Sequence, residues 1–367
     1  MTEGSARPTD SQTPVAESES PVIIAVDANG ADLGPREVAA GAALAVEEGV
    51  RVLLFGPRAE LGVLPRGVEV IDAPVSIAKS PDPVSAVRST PEASIVQAAQ
   101  AVASGRAHAL VCAGGTGAAL AAGLFNVKRA RGIYRPALAL PLPVPGHPVT
   151  LLDVGANAEV RREHLVQFAF MGAALAESVL GVQRPRVGLL SNGEEAGRGS
   201  PLVIEAHAEL LERAHGSTAF EFVGNVEGGD LVSGVADVVV TDGFTGNIAL
   251  KLMEGVSQTI LGAVREAAMS TSRSKLGGLL LRPSLRSFRD EIDPEAHGGA
   301  YLLGLRRLGV VPHGRFTRQG FAQAILRAQR GTHEDLVGRT YAALEQAGAL
   351  KSVPVSASAP VASLRDR

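Results

Sequence analysis

HALVCAGGTGAALAAGLFNVKRA, residues 108–130, decides the fold. Its first seven residues read as a strand whose apolar run, 109–113, stops at a pair of glycines. From Thr116 to Ala130 the chain turns alanine-rich, which favours a helix. A strand that passes through glycines straight into a helix is the repeating unit of an α/β protein. Upstream, VIIAVD (22–27), VRVLLFG (50–56) and VEVIDA (68–73) read as strands, and EVAAGAALAVEE (37–48) and ASIVQAAQAVAS (93–104) as helices. Downstream the rhythm resumes: strands at VTLLDVG (149–155), RVGLLSNG (186–193), FEFVGN (220–225) and ADVVVTD (236–242), helices over 163–181 and 248–269. Buried strands alternating with helices predict a mostly parallel sheet covered on both faces.

Composition narrows the class. The 367 residues carry a net charge of -3, only 4% are aromatic and Trp is absent, which argues against a general nucleic-acid binder. Apolar residues make up 46% of the chain, enough for a sizeable core. The one cysteine, Cys112, cannot form an internal disulfide and points to a reducing, cytoplasmic setting. Residues 1–20 and 351–367 read as disordered tails around an α/β domain of one or two lobes at 21–350.

In such sheets ligands meet the carboxyl ends of strands. Here those ends carry DANGAD (27–32), CAGGTGA (112–118), LDVGAN (152–157), SNGEEAGRG (191–199), GNVEGGD (224–230) and TDGFTGN (241–247). Each is also an ordinary turn composition. Gly114, Gly115 and Gly117 allow close backbone approach to a ligand, and Thr116 is a candidate helix cap. Free N–H groups there would suit an anion. Asp242 ends a strand, Thr245 and Asn247 are cap candidates, and Lys251 falls four residues beyond Asn247 on the same face, either reaching an anion or solvated. Asp153 is expected to orient neighbours, and Asn157 to hold an oxygen. His313, before a glycine, is a candidate acid or phosphate donor, or structural. Cys112 has no histidine close in sequence and reads as inert. No metal cluster or cofactor motif is visible.

The stretch SRSKLGGLLLRPSLRSFR, residues 272–289, is basic and leucine-rich. Gly277, Gly278 and Pro283 are expected to break it into two short helices within a protruding segment over 270–297. It reads either as a surface that lies on a membrane or as a hairpin packed at a dimer interface.

Residues 22–330 resemble the PlsX-type phosphate acyltransferases. The resemblance rests on DANGAD, the run from Arg135 to Pro143, LLDVGAN, Gln167 to Gly172, GLLSNGEE, FVGNVEG, DVVVTDGFTGNIALKLMEG and GGAYLLG (298–304). Three places depart from the family pattern: Asn29 and Ala31 in the first loop, Cys112 and Gly115 where the family has Ser and Asn, and Arg315-Phe316 after His313-Gly314. The resemblance implies an α/β/α sandwich like those of isopropylmalate dehydrogenases and phosphotransacetylases, usually a homodimer. It implies transfer of an acyl group from acyl carrier protein to inorganic phosphate, a step feeding phospholipid synthesis. On this reading Asn157, Asn225, Asn247, Lys251 and His313 are catalytic candidates. Asp27, Gly114, Gly115, Thr116, Gly117, Asp153, Asp242 and Thr245 would bind phosphate or the acyl group, with no cofactor or metal. A phosphotransacetylase-like enzyme using acyl-CoA, or a non-catalytic acyl- or phosphate-binding scaffold at a membrane, remain alternatives.

Overall fold

The computed structural model describes residues 21–351, so the tails expected at 1–20 and 351–367 lie, but for Lys351, outside the described residues. The first half contains β1 (Ile23–Asp27), α1 (Pro35–Glu47), β2 (Arg51–Gly56), α2 (Arg58–Leu61), β3 (Val68–Asp72), α3 (Pro83–Ser89) and α4 (Ser94–Ala103). It continues through β4 (Ala109–Cys112), α5 (Thr116–Ala122), β5 (Ala137–Leu142), β6 (Val149–Leu152) and α6 (Arg162–Leu175). The second half contains β7 (Arg186–Leu190), α7 (Pro201–Ala214), β8 (Glu221–Val226), β9 (Val238–Val240), α8 (Gly243–Met269) and α9 (Ser272–Glu291). It ends with β10 (Ala300–Leu303), β11 (Gly309–Val311), α10 (Arg318–His333) and α11 (Leu336–Gln346).

The strands form an 11-stranded sheet in the order β3-β2-β1-β4-β11-β10-β5-β6-β9-β7-β8. Alternate residues of each central strand enter two separate cores. Ile24, Val26, Val52, Leu54 and Val111 pack under α1, α6 and α10, while Ala25, Leu53, Phe55 and Leu110 pack under α4 and α5. The result is the expected three-layer α/β/α sandwich with a mostly parallel sheet.

Three pairings are antiparallel: β10 with β11, β10 with β5, and β5 with β6. They reverse the sense of the sheet. β1, β2, β4 and β11 run one way, and β6, β7, β8 and β9 run the other. The glycine-rich loops therefore fall into two groups at opposite ends of the strands. Loops 27–32, 112–118 and 312–314 form one group; 153–157, 191–199, 224–230 and 241–247 form the other.

α8 joins the two. It buries Gly243 and Gly246 at its start and rests Ala249, Leu250 and Met253 on the second core. Beyond that turn it stands off the body and pairs with α9. α9 is one continuous helix rather than the two short pieces expected. Gly278 lets it approach α8, since a Cβ there would lie 3.2 Å from Ala268 Cβ. Pro283 deprives the Leu279 carbonyl of its helical donor, but this segment is exposed and water can serve instead. Among the described residues no helix is long and apolar enough to cross a membrane.

Candidate active site

The first loop group converges glycine to glycine. Gly114 has φ +98°, and a Cβ on it would meet the Gly30 carbonyl oxygen at 2.8 Å and Gly314 Cα at 3.1 Å. Gly30, φ +107°, is equally enclosed by the Ala113 carbonyl and Ala78. The Asp32 N–H donates to the Gly314 carbonyl at 2.7 Å, tying the end of β1 to the end of β11.

The backbone donors of this loop are unequal. Gly114 N–H and Thr116 N–H close turns on the carbonyls of Cys112 and Gly114, and the Gly115 N–H is directed at Cys112. The Gly117 and Ala118 N–H groups, in the first turn of α5, have no acceptor among the described residues. The cap position is Gly115, so Thr116 does not cap through its side chain. Gly117 is also a packing glycine, because a Cβ there would fall 2.8 Å from Pro83 Cγ of α3.

Asp27 lies beneath the loop and is buried. Its Oδ1 accepts from the Asn29 N–H at 3.1 Å, and the Cys112 thiol donates to Oδ2 at 3.6 Å. Burial raises its pKa to about 7, against the lowering effect of Ser94, Asn29 and Cys112. The Cys112 thiol is pushed well above its ordinary range by burial and by Asp27, so it holds its proton and suits the inert reading.

His313 follows β11 at this group, and Lys251 on α8 is near enough for its charge to act on the imidazole. His313 Nδ1 accepts the Arg315 N–H at 3.2 Å, which places the neutral ring's proton on Nε2. Partial burial, then the charges of Arg315 and Lys251, hold its pKa below the usual range despite Glu254 and Asp32. Lys251 pairs with Glu254 at 2.9 Å. Asn247, Lys251 and Glu254 follow one another at i, i+4 and i+7, a single face of α8. Glu254, which sequence reading passed over, is found by that spacing.

The second group is a structural knot. Asp153 Oδ1 accepts the N–H groups of Leu138, Gly155 and Ala156, and Oδ2 accepts the N–H and the side-chain amide of Asn157. Burial raises the Asp153 pKa, opposed by these donors. Asn157 Nδ2 also donates to the Pro136 carbonyl at 2.7 Å, so both amide protons are engaged. Gly246 has no room for a Cβ against the Asp153 carbonyl, which brings α8 down onto the knot. Asp242 caps α8, accepting from the N–H groups of Phe244 and Thr245 and from the Thr245 hydroxyl. Thr245 and Asn247 are therefore not the cap residues expected. Asn247 is exposed, over Gly155, with no hydrogen bond among the described residues.

Asn225 stands apart. Its Nδ2 donates to the Glu195 carbonyl at 2.9 Å, and its Oδ1 meets His207 Nδ1 at 2.9 Å. It fastens the 191–199 loop to α7. Of the three asparagines considered for oxyanion stabilisation, Asn157 and Asn225 are spent on the fold and Asn247 is free for a ligand.

The fold is similar to that of two solved phosphotransacetylases. Phosphotransacetylases from Staphylococcus aureus and Streptococcus pyogenes superpose with a TM-score of 0.57 each, at 18% and 16% identity, covering 85% of this chain and 94% of theirs. The model of the family described as fatty acid synthesis protein matches residues 22–339. The phosphate acyltransferase of Thermobifida fusca is 42% identical over 339 residues, 90% of this chain and 92% of that protein. That of Thermus thermophilus is 44% identical over 320 residues, 86% and 96% of the two chains. The chain belongs to the fatty acid synthesis protein family, alongside these phosphate acyltransferases, and is an acyltransferase.

Proposed function

We propose that this protein transfers a fatty-acyl group from acyl carrier protein to inorganic phosphate, and that the transfer takes place where α8 passes the first loop group. This reading is supported by the nearness of Lys251 to His313, by the packing of Gly314 on Gly114, and by the unpaired Gly117 and Ala118 N–H groups in the same loop group. Phosphate is anionic at neutral pH and needs little activation. The protein has to hold it against a thioester carbonyl, and positioning alone is worth several kcal/mol.

In the proposed reaction a phosphate oxygen attacks the carbonyl carbon directly. Lys251 and the two N–H groups hold the phosphate, while His313 Nε2–H and the Asn247 amide are the donors for the developing oxyanion. The tetrahedral intermediate collapses with cleavage of the C–S bond, and the thiolate departs with its electron pair. The lowered pKa of His313 leaves little imidazolium to protonate it, so the ring serves as a neutral donor rather than an acid. Cys112 takes no covalent part.

The test is to incubate the purified protein with phosphate and either palmitoyl-carrier protein or acetyl-CoA and to trap acyl phosphate with hydroxylamine. Product from the carrier thioester supports the proposal. Product from acetyl-CoA alone would favour a phosphotransacetylase, and product from neither would favour a scaffold.

The exposed apolar side chains of α8 and α9 support a further part of the proposal. Phe244, Ile248, Leu252, Val256 and Ile260 form one stripe along α8, and Leu276, Leu279, Leu280 and Leu281 crowd α9. A second copy covering α8, with the basic, leucine-rich α9 meeting an anionic bilayer, would remove this surface from water and deliver a lipidic product where it is used.

A further inference from the structure

A cavity of about 750 Å³ lies beside the first loop group and has no part in the scheme above. Its floor is Asn29, Gly30 and Ala31; its outer wall is the chain from Ser76 to Thr90. The wall is firmly held. Asn29 Nδ2 donates to the Ala73 carbonyl at 3.1 Å and to Ser94 Oγ at 2.9 Å, and the Ser94 N–H donates to the Val75 carbonyl at 3.0 Å. Ala78 closes the side towards the glycine loop, since a Cβ on Gly115 would come within 3.1 Å of it. Gly30 borders both spaces.

The lining carries the hydroxyls of Ser76, Ser80, Ser85, Ser89 and Thr90, one cation, Lys79, and one carboxylate, Asp82, which is engaged as the cap of α3 by the Ser85 N–H. Lys79 makes no salt bridge among the described residues. Such a wall is a poor host for hydrocarbon and a good one for amides. An acyl thioester donor carries a linear arm with two amides, ending in a phosphate ester. We propose that this cleft receives the phosphopantetheine arm of the donor, its amides against the serine and threonine hydroxyls and its phosphate beside Lys79, so that the thioester end passes Gly30 to the phosphate site. This rests on the acyl-transfer reading above. The arm is common to acyl carrier protein and CoA.

The test uses the full chain, wild type and two variants of exposed cleft residues, Ser89→Trp and Lys79→Ala. Donors are palmitoyl-pantetheine, palmitoyl-phosphopantetheine, palmitoyl-CoA and palmitoyl-carrier protein, with acyl phosphate as the readout. Ser89→Trp is expected to raise KM for every donor at least tenfold while the KM for phosphate and the Tm stay at wild-type values. Lys79→Ala is expected to raise KM several-fold for the three phosphorylated donors and to leave palmitoyl-pantetheine unchanged. Unchanged donor KM in Ser89→Trp overturns the subsite while the acyl-transfer reading stands. So does an effect confined to one carrier, or an equal effect of Lys79→Ala on all four donors. No acyl phosphate from any donor with the wild type overturns the acyl-transfer reading, and the subsite with it.

Discussion

The side-chain amide of Asn157 is held at 2.8 Å from Asp153 Oδ2, and its second proton goes to the Pro136 carbonyl. An amide so committed cannot also serve a transition state. Asn157→Ala is expected to lower stability by roughly 1–3 kcal/mol, since it leaves a buried carboxylate and a buried carbonyl short of donors. At a temperature where the variant is folded, the KM for phosphate should match wild type. Denaturant melts and phosphate titrations check the two halves separately.

The buried Asp27 makes stability depend on pH. Its native pKa, about 7, lies above its unfolded value, so between about 4 and 7 the folded state binds more protons than the unfolded one. Its contribution is therefore greatest in acid and falls as pH rises through that window, levelling off above it. Asp27→Asn mimics the protonated form and should flatten the dependence. The Tm of the variant relative to wild type is expected to increase from pH 5 to about pH 7 and then to level off. A constant difference would place the ionisation elsewhere. Cys112→Ser, which keeps a donor facing Asp27, should retain most activity.

The strands that sequence reading finds are those dense in Val, Ile and Leu, and all of them are present. It misses β5, β10 and β11. Pro141 interrupts ALALPL, and AYLL and GVV are too short to show a period. These strands carry the antiparallel pairings that reverse the sheet, so nothing in the local pattern tells which loops share an end. Residue types at the site were legible, but their engagement was not. Asn225 reads like Asn247 until the Glu195 carbonyl and His207 are seen around it. The breaks expected in α9 fail for a local reason: Gly278 is used for contact with α8, and Pro283 sits where water replaces the lost donor.

The exposed faces of the α8–α9 hairpin lead to two separable outcomes. Leu280 is 75% exposed on α9, among Arg273, Lys275, Arg282 and Arg286. Leu280→Glu should abolish flotation with anionic liposomes at low salt without changing the oligomeric state. Val256→Arg, in the α8 stripe, should shift the protein to monomer in sedimentation. If wild type fails to float, α9 has another partner. If Val256→Arg leaves the mass unchanged, the second copy does not sit on α8.

The central claim is that phosphate is held between α5 and Lys251. The most direct measurement is the phosphate dependence of acyl phosphate formation from palmitoyl-carrier protein, for wild type and Lys251→Ala. Lys251 is exposed and among the described residues pairs with Glu254 alone, so its removal should leave the Tm within about 1–2 °C, as surface substitutions usually do. A saturable wild-type curve is expected, with kcat/KM for phosphate at least tenfold lower in Lys251→Ala, a loss of about 1.4 kcal/mol or more. A variant within twofold of wild type would contradict the account and return Lys251 to the solvated surface.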